Sequence, residues 1–254
     1  MDEDSLAFPL PLGRGVRVLA AHPSGWVALD KPAGILSTPN APSDLKQTLL
    51  RAKFSKKDEA YVWYDEQQER RLYFICHRLD SPTSGVLLGS TDPAIARRIR
   101  SLFKERKIHK RYLALVSGMP RAMHGRWKDT LSTRSEKGGS QVRTAVKAGR
   151  AGEPSLTEWS VLRQDARKRL SLLSLRPLTG RTHQLRVQSA HHQLPIIGDR
   201  TYGDFKVNAH AKKNWGLQRL MLHAEKIQLS DPASGIELSV ESTPPREFVQ
   251  LFDN

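Results

Sequence analysis

His77–Leu88 reads HRLDSPTSGVLL and joins a preceding apolar run, Leu72–Cys76, to an apolar run at its own end. Two strands separated by a polar turn are therefore predicted here. Asp80 lies in that turn, where an aspartate before Ser-Pro commonly caps its own backbone, and the spacing alone favours this structural role. The neighbouring His77 and Arg78, on a strongly basic chain, favour a functional carboxylate instead, with both neighbours as substrate-binding residues.

A second polar cluster, Leu178–Arg186 (LTGRTHQLR), brings two arginines to the start of a predicted helix, Thr182–Ala190. Thr182 can cap that helix, and Arg181 and Arg186 lie on either side of its first turn. The cluster is either an exposed basic helix start or a cationic group directed at a carboxylate or a phosphate.

The clearest predicted helix begins at Asp92 and Pro93, because an N-cap residue followed by proline at the first helical position starts a helix. Its apolar stripe, at helical spacing, consists of Ile95, Ile99, Leu102 and Phe103. We expect these side chains to pack in the core.

The opposite face of this helix is basic and continues into the residues that follow it. Eight cations meet one acid, Glu105, within residues 97–111, so we expect little ion pairing inside the chain. Arg97, Arg100 and Lys104 are therefore predicted to contact phosphate groups of a nucleic acid.

Short strand-like runs alternate with two or three helices, which predicts an α+β fold with a mainly antiparallel central sheet and flanking helices. Ser43 is predicted to cap a further helix, whose apolar stripe would be Leu45, Leu49 and Ala52. Arg134–Gly152 is predicted to be a mobile loop or a weak hairpin, and Pro195–Gly203 a series of turns. Residues 1–15 are expected to form a loose arm and residues 16–254 a single domain, since no linker divides them.

The chain is strongly basic, with 41 Lys and Arg against 26 Asp and Glu and a net charge of +15. A solubilising surface explains a few charges of one sign better than an excess of this size. The charge therefore favours a polyanionic partner, with nucleic acid ahead of a membrane surface.

Other classes of site are disfavoured by the sequence. Cys76 is the only cysteine, which excludes an intramolecular disulfide, and we expect it to be buried. His191, His192 and His210 lack a carboxylate or thiol at a recognisable ligand spacing, so no metal site is predicted. The acidic start Met1–Asp4 is unlike a signal peptide, and no apolar run approaches the roughly 20 residues that span a bilayer. We expect a cytoplasmic protein without a membrane partner.

At these segments the chain resembles the RluA-like branch of the RluA/RsuA-type pseudouridine synthases. His77–Asp80 and Thr83–Gly85 are similar to that family's catalytic stretch, His-Arg-Leu-Asp followed by Thr-Ser-Gly. The other similar segments, in the family's order, are Asp30–Gly34, Lys110–Tyr112, Thr179–Arg186, Pro195–Asp199 with Tyr202–Gly203, and Leu222–Ala224. The ordered set is far more specific than any single motif.

The resemblance implies roles for individual residues. Asp80 would be the catalytic aspartate, Tyr112 would stack against the target uracil, and Arg186 would pair with Asp80. Arg78 would displace the target base or fill its vacated place, and Arg181 would support the site or contact phosphate. The resemblance also implies a basic cleft.

Two departures from the family pattern concern the fit of the substrate rather than the reaction. Pro82 replaces the polar or charged residue expected between the catalytic aspartate and Thr-Ser-Gly, and Val187-Gln188 lacks the histidine that often follows the second arginine. The chain is also expected to lack a separate N-terminal RNA-binding domain.

The implied reaction is isomerisation of uridine to pseudouridine in structured ribosomal or transfer RNA, by a monomer without a cofactor. Uracil is detached, turned and rejoined through a ring carbon, with no redox change. A carboxylate contributes either by attack on the anomeric carbon or by removal of a ribose proton, and the sequence does not choose between them.

Two alternatives stay open at this point. An RNA-binding protein that has lost the chemistry would have no need of Asp80, Tyr112 and Arg186 together. A glycosylase or nuclease would also act on nucleic acid, but a nuclease usually shows a metal-binding acid cluster, and none is evident.

Overall fold

The computed structural model describes residues 8–135, 142–147 and 152–252. The strands of these residues are β1 (Arg17–Ala21), β2 (Trp26–Lys31), β3 (Lys53–Ser55), β4 (Ala60–Tyr64), β5 (Arg70–Ile75), β6 (Ser84–Ser90), β7 (His109–Ser117), β8 (His124–Ser135), β9 (Val142–Val146), β10 (Glu153–Asp165), β11 (Leu170–Pro177), β12 (Leu222–Asp231) and β13 (Ile236–Glu241). The α-helices are α1 (Pro93–Lys104), α2 (Gln184–His191) and α3 (Phe205–Trp215).

The chain divides into two compact units. Unit 1 comprises Met1–His109 and Ala224–Thr243, and unit 2 comprises Lys110–His223 and Pro244–Asn254.

In unit 1 the strands β3, β4, β5, β6 and β12 are neighbours in that order, while β2 pairs with β6, β1 with β2 and β13 with β12. Helix α1 buries Ile99 and Leu102 completely in the apolar cluster that also contains Val86 of β6. Gly85 of β6 has φ +113°, and a Cβ there would lie 2.1 Å from the backbone oxygen of Ala224. The Thr-Ser-Gly segment therefore requires its glycine for the close approach of β12.

In unit 2 the strands β7, β11, β10, β8 and β9 are neighbours in that order, and their ladders are antiparallel. The core of this unit is an apolar cluster to which β7, β11 and α2 contribute buried side chains, among them Leu115, Leu173 and Leu185. Helix α3 lies at its periphery, where only Ala211 of the helix is fully buried.

The structure confirms the α+β class. An isolated parallel bridge joins Leu36 and Thr48 outside the strands named above, so the pairing is mainly but not purely antiparallel. The predicted start of α1 is confirmed, because the Asp92 carboxylate accepts the N–H groups of Ala94 at 2.7 Å and Ile95 at 2.8 Å. The single domain and the basic cleft stay predictions.

The helix predicted after Ser43 is wrong. Residues Pro42–Gln47 form a 3-10 helix instead, which ends before Leu49. The Asp44 carboxylate accepts the N–H groups of Asn40 and Ala41 at 3.0 Å, and the bridge at Thr48 then returns the chain to an extended conformation. The Asp44 contact with Ala41 is that of a capping box and favours the start of this short helix, so it is the return to an extended chain at Thr48 that ends it.

Several elements were not predicted, among them β4, β13 and α3. Pro195–Gly203 forms turns as predicted, and Arg134–Gly152 contains β9, which pairs with β8 as a hairpin. Residues 136–141 and 148–151 of that segment lie outside the described residues, as do residues 1–7 of the predicted arm. In the rest of the arm, Leu12 forms a bridge with Leu50. None of the helices in the described ranges has the length and apolarity needed to span a membrane.

Candidate active site

Asp80 lies in the segment between β5 and β6, and its side chain is half-buried. Buried polar contacts hold the backbone on both sides of it. The Ser37 hydroxyl donates to the carbonyl of Leu79 at 2.8 Å and accepts the Leu79 N–H at 3.1 Å. The Thr83 N–H donates to the Asp80 carbonyl at 3.0 Å and closes the turn. The position of Asp80 is therefore set by residues of other segments as well as by its own turn.

A buried cation supports the same turn. Lys31 is fully buried, and its ammonium donates to the carbonyls of Pro32 at 3.1 Å, Ile35 at 2.7 Å and Ser81 at 3.0 Å. The N–H of Gly34, at φ +88°, also donates to the Ser81 carbonyl at 2.8 Å. Burying a charge is costly unless polar partners replace its water. The Asp30–Gly34 segment thus anchors the residue next to Asp80.

His77 has contacts that stabilise unit 1. Its Nε2 accepts the N–H of Leu88 at 3.0 Å, and its ring centroid lies 4.7 Å from that of Phe103 on α1. Arg78 is exposed. Contacts of His77 and Arg78 with RNA stay predictions.

Two cations of α1 are engaged within the chain. Arg98 forms a bidentate pair with Asp231, both N···O distances being 2.7 Å, and this lowers the pKa of Asp231 to about 2. Arg100 donates to the carbonyls of Ile75 at 2.8 Å and Glu59 at 2.9 Å. The expectation of little internal pairing is wrong for these two arginines, because their partners lie far away in the sequence.

Arg97 and Lys104 are exposed, and neither makes a hydrogen bond or ion pair within the described part of the chain. They are seven residues apart, so they lie on the same face of α1 two turns apart. These two cations are therefore the members of the predicted set that the fold leaves available for phosphate.

In unit 2, Arg186 is buried on α2 and forms a bidentate pair with Asp199. Its Nε lies 2.7 Å from Oδ2 and its Nη2 lies 2.9 Å from Oδ1. The same Oδ1 accepts the N–H groups of Thr201 at 2.9 Å and Tyr202 at 3.0 Å. Burial acts to raise the pKa of Asp199, but Arg186 and the two amides more than offset it, and the pKa is lowered. Asp199 therefore stays ionised and holds the Arg186 guanidinium in one orientation.

Tyr202 adds further contacts around this pair. Its ring centroid lies 5.1 Å from the guanidinium carbon of Arg186, which is within cation–π distance. Its hydroxyl lies 2.8 Å from Nδ1 of His183 and accepts the N–H of Thr144 on β9 at 2.9 Å. The β8–β9 hairpin is thus linked to the turn that holds Arg186.

The start of α2 is attached to β10 through buried amide and hydroxyl groups. The Gln184 side chain donates to the Leu156 carbonyl at 3.1 Å, and its oxygen accepts the Thr179 hydroxyl at 2.7 Å and the Arg181 N–H at 3.0 Å. The Arg181 guanidinium lies 3.0 Å from the Glu153 carboxylate at the start of β10. Arg181 is thus a partly exposed arginine already paired with an acid.

Tyr112 is half-buried on β7, opposite Leu175 of β11, and packs against the core of unit 2. Lys110, two residues before it, has its pKa lowered by burial, and a Cβ on Gly180 would lie 3.7 Å from its Nζ. Tyr112 and Arg186 belong to unit 2 and Asp80 to unit 1, so their association stays a prediction.

The sequence predicted no individual role for Lys31, Gln184, Asp199 and Tyr202. Gln184 lies in the second polar cluster, and the other three lie in shorter segments that resemble the family. A lysine at the end of the apolar strand β2 was the available signal for Lys31. In the described ranges, no three His, Cys, Asp or Glu side chains are grouped to hold a metal ion.

Comparisons with known proteins agree on one family. The family model of RNA pseudouridylate synthases matches residues 25–191. A tRNA pseudouridine synthase C from Yersinia pestis is 33% identical over 226 residues, which cover 84% of this chain and 81% of that protein. A ribosomal large subunit pseudouridine synthase C from Buchnera aphidicola is 35% identical over 176 residues, or 69% of this chain and 53% of the relative. The solved structure of human RNA pseudouridylate synthase domain containing 4 superposes with a TM-score of 0.66 at 26% identity, covering 91% of this chain and 90% of that one.

Proposed function

The chain belongs to the family of RNA pseudouridylate synthases, in its RluA-type branch, and from this premise we propose that Asp80 is the catalytic carboxylate in the isomerisation of uridine to pseudouridine within structured RNA. The anchoring of the Asp80 segment supports this assignment most directly. Lys31, Ser37 and Gly34 hold the backbone on both sides of Asp80, yet Asp80 is half-buried rather than sealed in the core. Such preorganisation suits a group that must meet a substrate in one geometry.

The other roles follow from the chemistry. The target base leaves its stack at a cost of a few kcal/mol and enters the site, where the ring of Tyr112 holds the detached uracil. Both possible roles of the carboxylate require it to be ionised, and Arg186 pairs with Asp80 as the resemblance to the family implies. Arg78 takes the place of the displaced base. No redox change occurs, so the reaction needs no cofactor.

For the substrate we propose structured transfer or ribosomal RNA in the cytoplasm, the two RNA classes that the relatives' names mention. The protein would act as a monomer. Mapping pseudouridines in both RNA classes, from cells with and without this protein, tests the proposal. Loss of one or a few sites is expected, and an unchanged map would exclude the proposed activity.

The stacking role of Tyr112 can be separated from the role of its hydroxyl. Tyr112→Phe keeps the ring and should retain most of the activity, whereas Tyr112→Ala should retain little. Tyr112→Leu keeps apolar volume against the core of unit 2 but lacks the flat ring. Its rate should therefore resemble that of Tyr112→Ala, and its free energy of unfolding that of Tyr112→Phe. Initial rates of tritium release from ring-labelled RNA measure the effect, and native rates for all three variants would remove Tyr112 from the site.

RNA affinity should fall steeply with salt, because phosphate contacts release counterions. Reversing Arg97 and Lys104 together to Glu should weaken binding and make the slope of log affinity against log salt shallower by about 1 to 2. The matched control is Lys56→Glu with Lys57→Glu, an equal charge change at exposed positions of unit 1. Equal effects of the two double variants would mean that the face of α1 makes no specific contact. Arg100 is left unchanged because its contacts hold the fold.

A further inference from the structure

Helix α3 exposes an aromatic ring. Phe205, its first residue, has 71% of its surface exposed, more than any other large apolar side chain of the described residues. The helix is well defined, because the Asp204 carboxylate caps its start and Gly216 ends it at φ +70°. The ring is held at a defined place on the helix and is available to a ligand.

Phe205 is flanked in the sequence by cationic side chains that form no ion pair or hydrogen bond within the described chain. Lys206, Lys212 and Lys213 of α3, and Arg200 before it, are exposed and form no ion pair or hydrogen bond through their side chains within the described chain. Phe205 and Lys212 are seven residues apart and so share one face of the helix. The nearby acids are occupied, Asp199 by Arg186 and Asp204 by the cap. The exposed face therefore combines an aromatic ring with unneutralised positive charge.

The same helix is attached to the turn that holds Arg186. The Asn208 amide donates to the Asp199 carbonyl at 2.9 Å and accepts the Gly198 N–H at 2.7 Å. Asn208 lies one turn after Phe205, so the position of the ring is coupled to that of Asp199 and, through it, Arg186. A nucleotide bound at Phe205 would thus be held at a defined place relative to the proposed catalytic arginine.

We propose that Phe205 and the surrounding cations Arg200, Lys206, Lys212 and Lys213 form a secondary RNA-binding face, on which Phe205 stacks against an unpaired base outside the target uridine. The inference rests on the proposed function, which supplies the RNA. Stacking on an aromatic side chain with phosphate contacts to lysines is how proteins bind single strands without reading their sequence. The charge favours RNA over a protein partner, because a single ring among four cations offers little apolar area for a protein interface.

The test measures binding of a fluorescein-labelled single-stranded RNA of mixed sequence by anisotropy at fixed salt. Phe205→Ala should weaken binding about tenfold, Phe205→Leu about equally, and Phe205→Trp should bind like the native protein. A strand of the same length with abasic residues keeps the phosphates, so its affinity should not respond to Phe205→Ala. The matched control is Tyr64→Ala, an aromatic side chain that is 64% exposed and is followed by Asp65 and Glu66. The Tyr64→Ala variant should bind the labelled RNA with native affinity.

Native affinity of Phe205→Ala for the intact strand would overturn the proposal. So would an equal loss for intact and abasic strands, because the effect would then not be stacking. Loss of binding to anionic vesicles or of self-association, with native RNA affinity, would assign the face to a membrane or a second copy instead. Because the assay involves no turnover, an inactive native protein would contradict the proposed function and leave this result intact.

Discussion

Asp80→Asn is expected to abolish pseudouridine formation, with a rate loss of at least about 10⁴-fold. The amide has the size and hydrogen-bonding capacity of the carboxylate but lacks its charge, its nucleophilicity and its ability to accept a proton. The backbone contacts of Lys31, Ser37 and Thr83 involve neighbouring main-chain groups and the Asp80 carbonyl, so they do not depend on the replaced side chain. RNA binding should therefore persist or improve. Release of tritium from ring-labelled uridine in total RNA gives the rate.

The control for this experiment is Asp92→Asn. It makes the same chemical change within unit 1, at the N-cap of α1, where asparagine caps as well as aspartate. Native activity is expected for the control, and circular dichroism should show both variants folded. A folded Asp80→Asn enzyme that releases tritium at the native rate would show that Asp80 is not the catalytic carboxylate.

Arg186→Met should also remove most of the activity, and it should destabilise the protein. Taking away one partner of a buried pair leaves the other charge unsatisfied, which costs about 3–5 kcal/mol. Arg186→Lys should lose nearly as much activity, because an ammonium cannot reproduce the two-pronged contact with Asp199. Two effects are thus superimposed, one on stability and one on catalysis.

The variant Asp199→Asn separates the effect on stability from the effect on catalysis. It removes the charge that pairs with Arg186 but keeps the arginine. The free energy of unfolding should therefore fall as it does in Arg186→Met, while more of the activity remains. Urea unfolding gives the stability of each variant, and tritium release below the unfolding transition gives the rate. If the rates of Arg186→Met and Asp199→Asn fell in proportion to their losses of stability, Arg186 would be a structural residue only.

The pKa of Asp199 gives the sign of the pH effect on this pair. Because the pKa is lowered in the folded state, the pair contributes stability above the ordinary aspartate pKa and loses that contribution as the pH falls through the lowered value. Substitution of Asp199 should therefore reduce stability near neutral pH more than in strong acid.

The sequence by itself determined what is encoded in contiguous residues. The start of α1 was predicted because an N-cap and a following proline are local signals, and the structure confirms both. The family was identified from ordered short motifs around Asp80 and Arg186, and the comparisons confirm it. The α-helix predicted after Ser43 was wrong, because the bridge between Leu36 and Thr48 returns the chain to an extended conformation before Leu49.

Only the tertiary structure decided which charged side chains are available to bind a ligand. Arg98 pairs with Asp231, which lies 133 residues away in the sequence. The local sequence pattern therefore predicted Arg98 as an unpaired cation of a basic helix face. Lys31 is buried beneath the Asp80 turn because three carbonyls converge on its ammonium, and Arg186 meets Asp199 because the turn after α2 brings them together. Whether a charged side chain binds a ligand or supports the fold depends on the groups that surround it in space, and those groups come from distant segments.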